Sequence, residues 1–417
     1  MAIRIRLDGM AIAAMPLAWR WAAVVTAALA VGCAGTHPSP PPTTQPMAAR
    51  SASPADDLDA IPPTATPPTA PVVNVFGELD GVNAGNARPI GDEGFQQHTF
   101  ADEGYDADVA VDPLGKSMCF ASTRHGERSA LYLQKTDGSA VTRITSDDSD
   151  NAFPTFSPDG KTIAFCSTRT GVWNVYTMDT DGRDVVTITT GSAQCVHPSF
   201  SPDGTRLVYS SLGARSHQWE LWVTTLATGE RRQIGYGLFP TWSPARDVDR
   251  IAFQRARQRG SRWFSLWTLE LAGGEAHRVT EVAVSSNAAI VSPAWSPDGH
   301  RLAFATVLDP SKQPGGGHGT GVDAHVRGEQ DVWTVAADGA DRRRLTDGNG
   351  VNLSPCWATD GRVYFISNRG GTENVWSVRP EAGQTYTAAK GSTPPSPTAR
   401  PTNTVPADAL GSTSDTP

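Results

Sequence analysis

Charge is scarce in this chain. Asp, Glu, Lys and Arg make up 19% of its 417 residues, and the acidic ones outnumber the basic 43 to 35. With a formal net charge of −8 and no basic cluster, the composition argues against a nucleic-acid binder. Five cysteines are too few to staple a chain of this length. The longest apolar run, residues 21–31, is only 11 residues, well short of the ~20 that cross a bilayer. Motifs with built-in chemistry are also missing. There is no Gly-x-Ser-x-Gly elbow, no His-Glu-x-x-His, no Cys-x-x-Cys and no phosphate loop. The expectation is a chain without catalytic residues, cofactor or metal, and therefore not an enzyme.

Both ends differ from the middle. Arg4, Arg6 and Arg20 precede the short apolar run, which ends in Ala30-Val31-Gly32-Cys33. That ending resembles a bacterial lipobox, so residues 1–33 read as an export signal and Cys33 as the lipidated mature terminus. Cleavage after Ala30, giving a soluble periplasmic product, stays open. Residues 34–71 hold 11 prolines among Ala, Thr and Ser. Such a segment buries too little surface to offset its chain entropy. Residues 34–94 are read as a disordered linker and 391–417 as a disordered tail.

Between the ends the chain repeats itself six times. The plainest copies are Phe156-Ser157-Pro158-Asp159-Gly160, Phe200-Ser201-Pro202-Asp203-Gly204 and Trp295-Ser296-Pro297-Asp298-Gly299. Weaker copies begin at Val111, Trp242 and Trp357. Each leads into a β-rich stretch ending in an aromatic (Phe120, Phe165, Tyr209, Phe253, Phe304, Phe365). A further stretch carries a second aromatic (Tyr132, Tyr176, Trp222, Trp267, Trp333, Trp376). In five copies an aliphatic follows 12 residues later (Ile144, Ile188, Ile234, Val279, Leu345). Four short strands per unit, joined by turn residues, is the pattern of a propeller blade. The fold expected over 95–390 is therefore all-β, a six-bladed β-propeller of four-stranded antiparallel blades. The Pro-Asp-Gly units are read as turns, since proline presets φ, Asp bonds its own backbone and Gly accepts positive φ.

The Ser-Pro-Asp-Gly repeat, with Ser167-Thr168-Arg169 leading to Asn174-Val175-Tyr176 and Ser367-Asn368-Arg369 leading to Asn374-Val375-Trp376, resembles the propeller repeats of the TolB family. The resemblance implies six blades, a periplasmic setting and a non-catalytic role in docking other envelope proteins. The partner it implies is a periplasmic or outer-membrane protein, such as a peptidoglycan-associated lipoprotein of a Tol–Pal system. The chain would be monomeric, touch no nucleic acid, and meet the membrane only through the Cys33 lipid, with the outer membrane favoured. TolB itself has a folded N-terminal domain where this chain has its proline-rich linker.

Two readings of the site stay open. In an up-and-down blade the second-to-third and fourth-to-first connections emerge on one face, here termed the loop face. It would carry Arg124, Arg169 and Arg369, the acidic residues Asp147 and Asp150, and a long blade-five insertion (309–330) with His318, His325 and Arg327. The first reading makes these residues a partner-binding surface. The second makes the channel mouth, lined by Asp147, Asp150, His318 and His325, the site of an enzyme such as a lyase, or of a carbohydrate binder. Closure of the ring is assigned to Gln96-Gln97-His98-Thr99-Phe100 as outer strand of the last blade, with 386–388 as the rival. Cys119 and Cys166 are expected to be free thiols.

Overall fold

The computed structural model describes residues 73–74, 94–146, 148–256, 264–285, 288–308, 330–348, 350–382 and 384–386. Two short strands precede the first blade: β1 (Val73–Asn74) and β2 (Phe95–Gln97). Blade one is β3 (Asp106–Val111), β4 (Ser117–Ser122), β5 (Ala130–Lys135) and β6 (Val141–Arg143). Blade two is β7 (Asn151–Phe156), β8 (Thr162–Ser167), β9 (Asn174–Asp179) and β10 (Val186–Thr187). Blade three is β11 (Cys195–Phe200), β12 (Arg206–Leu212), β13 (Trp219–Thr225) and β14 (Arg231–Tyr236). Blade four is β15 (Leu238–Trp242), β16 (Arg250–Ala256), β17 (Phe264–Ala272) and β18 (Glu275–Val284). Blade five is β19 (Ala288–Trp295), β20 (Arg301–Leu308), β21 (Gln330–Ala336) and β22 (Arg342–Arg344). Blade six holds β23 (Asn352–Trp357), β24 (Val363–Ser367) and β25 (Asn374–Val378), and the last strand is β26 (Gln384–Tyr386). The expected six antiparallel, four-stranded blades are all present.

The aromatic positions are the wedges between blades. Phe120, Phe165, Phe304 and Phe365 are fully buried, and Tyr132, Tyr176 and Trp333 nearly so. Each such side chain contributes roughly 1.5–3 kcal/mol on burial, which no blade could realise alone. The Ser-Pro-Asp-Gly units are turns. Asp159, Asp203 and Asp298 accept the hydroxyls of Ser157, Ser201 and Ser296 at 2.6, 2.5 and 2.5 Å, and the backbone N–H two residues on. The serine bond is the main cause that holds the Asp159 and Asp298 carboxyls below the usual range.

The N-terminal side closes the ring. β2 pairs antiparallel with β25 (Phe95↔Val378, Gln96↔Ser377, Gln97↔Trp376), and His98 N–H donates to Val375 O at 2.8 Å. Thr99 then repeats a bond made in three other blades. Its hydroxyl accepts Val375 N–H at 2.8 Å, as Thr145, Thr189 and Thr346 accept from Leu131, Val175 and Val332. Spacing from the next inner strand places this role on Phe100; the structure moves it one residue earlier, because the approach to blade one is one residue longer. Phe100 is instead 67% exposed. The rival segment does not close blade six: β26 adds to the outer edge of β22 in blade five.

Within the segment read as a linker, β1 pairs in parallel with Ala283 and Val284 of β18. Val73 is β-branched and suits a strand edge. The four cysteines of the propeller are free thiols. Burial raises the Cys119 and Cys166 thiols and pushes Cys356 up to about 11. Residues 1–33, Cys33 among them, and 391–417 lie outside the described residues.

Candidate functional site on the loop face and axis

Every inner strand carries a bulge at the same place. Pairing with the second strand slips there, and one non-glycine residue adopts a left-handed φ between 49° and 55°. These six are Asp108, Phe153, His197, Phe239, Ser292 and Ser354. Five precede a proline (Pro154, Pro198, Pro240, Pro293, Pro355). Proline has no N–H to leave unpaired, so the bulge is where an inner strand tolerates it. The left-handed residues converge on the axis. The rings of Phe153 and His197, and of His197 and Phe239, lie 4.0 Å apart between centroids. Across the ring, Ser354 Oγ donates to Asp108 Oδ1 at 3.4 Å. The three rings, tilted by 44° and 46° to one another, form one aromatic cluster, and Ser354 and Asp108 form a polar pair at the same level of their own strands. Burial lowers the His197 pKa to about 3, so the imidazole is neutral at physiological pH.

The three arginines read as partner-binding residues each pack against their own blade. Each sits two residues after a serine, whose hydroxyl accepts both its backbone N–H and its Nε–H (Ser122, Ser167, Ser367). The guanidinium then lies over that blade's aromatic pair. Arg124 is 5.1 and 5.3 Å from the Phe120 and Tyr132 centroids, and Arg169 is 5.3 and 4.7 Å from those of Phe165 and Tyr176. Arg369 stacks on Phe365 and Trp376 and lies 3.6 Å from the ring centroid of Phe95 in the closing strand. The far end reaches the first residue of the inner strand: Asp106 (2.8 Å to each oxygen), Asn151 (3.3 Å) or Asn352 (3.5 Å). These cations brace inner, second and third strands together.

Asp150 is likewise committed. Its carboxylate accepts Ser129 N–H at 3.0 Å and the Ser129 hydroxyl at 3.3 Å, and pairs with Arg128 at 3.3 Å. Asp147, His318, His325 and Arg327 lie outside the described residues, as does most of the blade-five insertion.

A cleft of about 580 Å³ opens on the loop face of blade one, lined by His125, Glu127, Arg128, Arg143, Ser146 and Asp148. His125 Nδ1 meets Tyr132 Oη at 2.9 Å. Arg143 donates through Nε to Thr145 O at 2.6 Å. Arg128 spans Asp148 and Asp150, each at 3.3 Å. The cleft walls thus hold cations and anions in near balance. Sequence reasoning named none of these cationic residues, nor the axial ring. The residue before each inner-strand proline was the available signal for the ring. Among the described residues no group of three or more His, Cys, Asp or Glu is placed to hold a metal ion.

Comparison with known proteins follows the same repeats. The family described as TolB beta propeller domain matches residues 172–313. The propeller is TolB-like. A curated relative, the protein TolB homolog of Chlorobium luteolum, is 29% identical over 140 residues, covering 27% of this chain and 31% of its own. The chain matches only 19 to 31% of the length of the first curated relatives. Among solved structures, TolB from Acinetobacter baumannii is 21% identical with a TM-score of 0.48, over 61% of this chain and 57% of that one. An oligogalacturonate lyase from Vibrio parahaemolyticus is 16% identical with a TM-score of 0.47, over 70% and 94%. Within the TolB-like ring, blades one, two and six carry the arginine brace, whereas blade three has Leu212-Gly213-Ala214 at the corresponding place.

Proposed function

We propose that this TolB-like propeller is a non-catalytic scaffold that docks an envelope protein on its loop face. The observation that carries the reading is Phe100. A large aromatic 67% exposed stands on the face that also holds the mixed-charge cleft of blade one. An aromatic anchor with a polar, charge-balanced surround is the usual make-up of a protein-binding patch. The brace arginines serve it indirectly, by fixing the blades. The resemblance supports a peptidoglycan-associated lipoprotein as partner and export to the periplasmic side, and the lipobox-like Ala30-Val31-Gly32-Cys33 supports a lipid anchor at Cys33 that holds the propeller near the outer membrane. The lyase reading at the channel mouth rests on three residues outside the described ones, and its fourth, Asp150, is already bonded to Ser129 and Arg128.

The test is calorimetry of the whole chain with the purified peptidoglycan-associated lipoprotein of the same organism. Phe100→Ser and Arg143→Glu should each weaken binding at least tenfold. Leu114→Ser changes an equally exposed apolar residue (73%) in a turn on the opposite face and should leave affinity unchanged. Equal loss in all three variants, or no binding by the wild type, overturns the proposal.

A further inference from the structure

The strand that closes the ring departs from its counterparts at one residue. In three other blades the position before the hydroxyl-bonding threonine is aliphatic: Ile144, Ile188 and Leu345. Each donates its backbone N–H to the third strand, to Leu131, Val175 and Val332 O at 2.9, 2.9 and 2.8 Å. His98 makes the same bond, to Val375 O at 2.8 Å. A titratable ring therefore stands where those blades have an alkyl group, at the seam where the two ends of the ring meet.

The side chain is tied to both blades that flank the seam. Nδ1 lies 3.1 Å from Thr136 O in blade one, and Nε2 lies 2.7 Å from Ser377 Oγ on β25 of blade six. A carbonyl oxygen only accepts, so Nδ1 carries the hydrogen and Nε2 of the neutral ring accepts the Ser377 hydroxyl. Ser377 Oγ in turn accepts Arg362 Nε–H at 2.6 Å. Arg362 also donates to Ser377 O at 3.2 Å and to Gly94 O, just ahead of β2, at 3.5 Å. Gln134 of blade one donates to His98 O at 2.7 Å, and the Tyr364 ring packs on the imidazole at 4.8 Å between centroids. The Asp360 carboxylate accepts Tyr364 Oη–H at 2.7 Å and Arg362 N–H at 2.9 Å.

These contacts suit the neutral imidazole and oppose the charged one. A proton on Nε2 ends its role as acceptor and sets two donors, His98 and Arg362, on one serine oxygen. The Ser377 hydroxyl then loses its acceptor in a buried site, and two cations share that site. Burial accordingly lowers the pKa of His98, and the Arg362 charge lowers it further against the opposing Thr136 bond and Asp360 charge. The strand held this way is short. β2 has three residues, none of them buried, and the buried anchors that follow it are His98 and Thr99.

We infer that His98 is an acid-released latch: in mild acid its protonation detaches β2 from β25 and opens the ring between blades six and one while the other blades stay folded. Opening takes up one proton, so its equilibrium constant rises up to tenfold per pH unit below about pH 6.5. The chain ahead of Phe95 is attached to blade six through β2, and the latch governs that attachment. It is independent of the partner taken on the loop face.

Amide exchange on the whole chain at pH 7.5 and 5.5, corrected for intrinsic rates, tests it. The readout is the pair of amides that bond across the seam, His98 N–H and Val375 N–H. In the wild type their protection should be about tenfold lower at pH 5.5. At that pH they should exchange at least tenfold faster than the amides of β12. In His98→Ile, which copies Ile144, protection of the same two amides should change less than twofold between the two pH values. Should that variant fold poorly, deuterium exchange at the imidazole C2 carbon of wild-type His98 reads its titration directly, and the ring should protonate below about pH 6.5. Equal protection of the wild-type seam at both pH values overturns the inference, as does an equal loss in wild type and His98→Ile. So does seam exchange no faster than β12, which would mark global unfolding, or a His98 that titrates at or above about pH 6.5.

Discussion

Replacing Thr99 by Val tests the closure of the ring through one hydroxyl group. Thr99 is 1% exposed; its Oγ1 accepts Val375 N–H at 2.8 Å and donates to Asn374 Oδ1 at 3.2 Å. Valine keeps the branched shape and removes both bonds. Asn374 Oδ1 still accepts Ala101 N–H at 2.8 Å, so its loss is one bond of about 1 kcal/mol net. Val375 N–H has no replacement, and a buried orphan donor costs about 1–3 kcal/mol. The sum is about 2–4 kcal/mol, measurable as a lower urea midpoint at unchanged slope. Thr99→Ser keeps the hydroxyl and should lose under about 1 kcal/mol, the value of a methyl group. Thr145→Val removes the equivalent bond to Leu131 N–H and should cost a similar amount. Only Thr99→Val should also speed amide exchange along β25, because only Thr99 sits where the two ends of the ring meet. A Thr99→Val midpoint equal to the wild type, or a Thr99→Ser as damaging as Thr99→Val, refutes the reasoning.

Other outcomes follow from the same contacts. Arg124→Met strands Asp106, whose side chain is 0% exposed, and should destabilise by about 3–5 kcal/mol; the double variant with Asp106→Asn should recover part of this in urea unfolding, and no recovery would argue against the ion pair. Burial lowers the pKa of His98 and of His197, the latter to about 3. The unfolded chain therefore binds protons below about pH 6.5 that the folded chain refuses, and stability falls as pH drops, by up to about 1.4 kcal/mol per pH unit for each histidine. His197→Phe should flatten this slope between pH 6.5 and 5, and an unchanged slope would contradict the neutral buried imidazole. Cys119, Cys166 and Cys195 are buried, so a thiol reagent should label them only in denaturant; rapid native labelling mapped by peptide mass spectrometry to any of these three, rather than to Cys33 or Cys356, would refute the packing.

The parts of the fold legible in the sequence were those repeated in every blade. Aromatics at matched positions mark the wedges, and Ser-Pro-Asp-Gly marks the turns, because both are local chemistry recurring at a fixed period. Departures from the period were harder to read. The closing threonine was misplaced by one residue, since the approach to blade one has ten residues from Thr99 to Val109 where other blades have nine up to the matching proline. β1 escaped notice because a strand of two residues has no period of its own, and β26 was placed on the wrong blade, because its three residues carry no signal of which edge they join. The arginine brace was half legible: spacing put Arg124, Arg169 and Arg369 on the loop face. That each guanidinium folds back over aromatics of its own blade depends on the stacking of two strands, which spacing does not convey. The axial ring needed the knowledge that a proline in an inner strand implies a bulge and turns the preceding residue inward.

Docking on the loop face is tested most directly by the amide-exchange footprint of the whole chain, free and with the peptidoglycan-associated lipoprotein bound. Protection should fall on residues 100–105, 123–129 and 144–150, while the turns at 112–116, 157–161, 201–205 and 296–300 exchange as in the free chain. Protection of those turns with the loop-face segments unchanged would contradict the account.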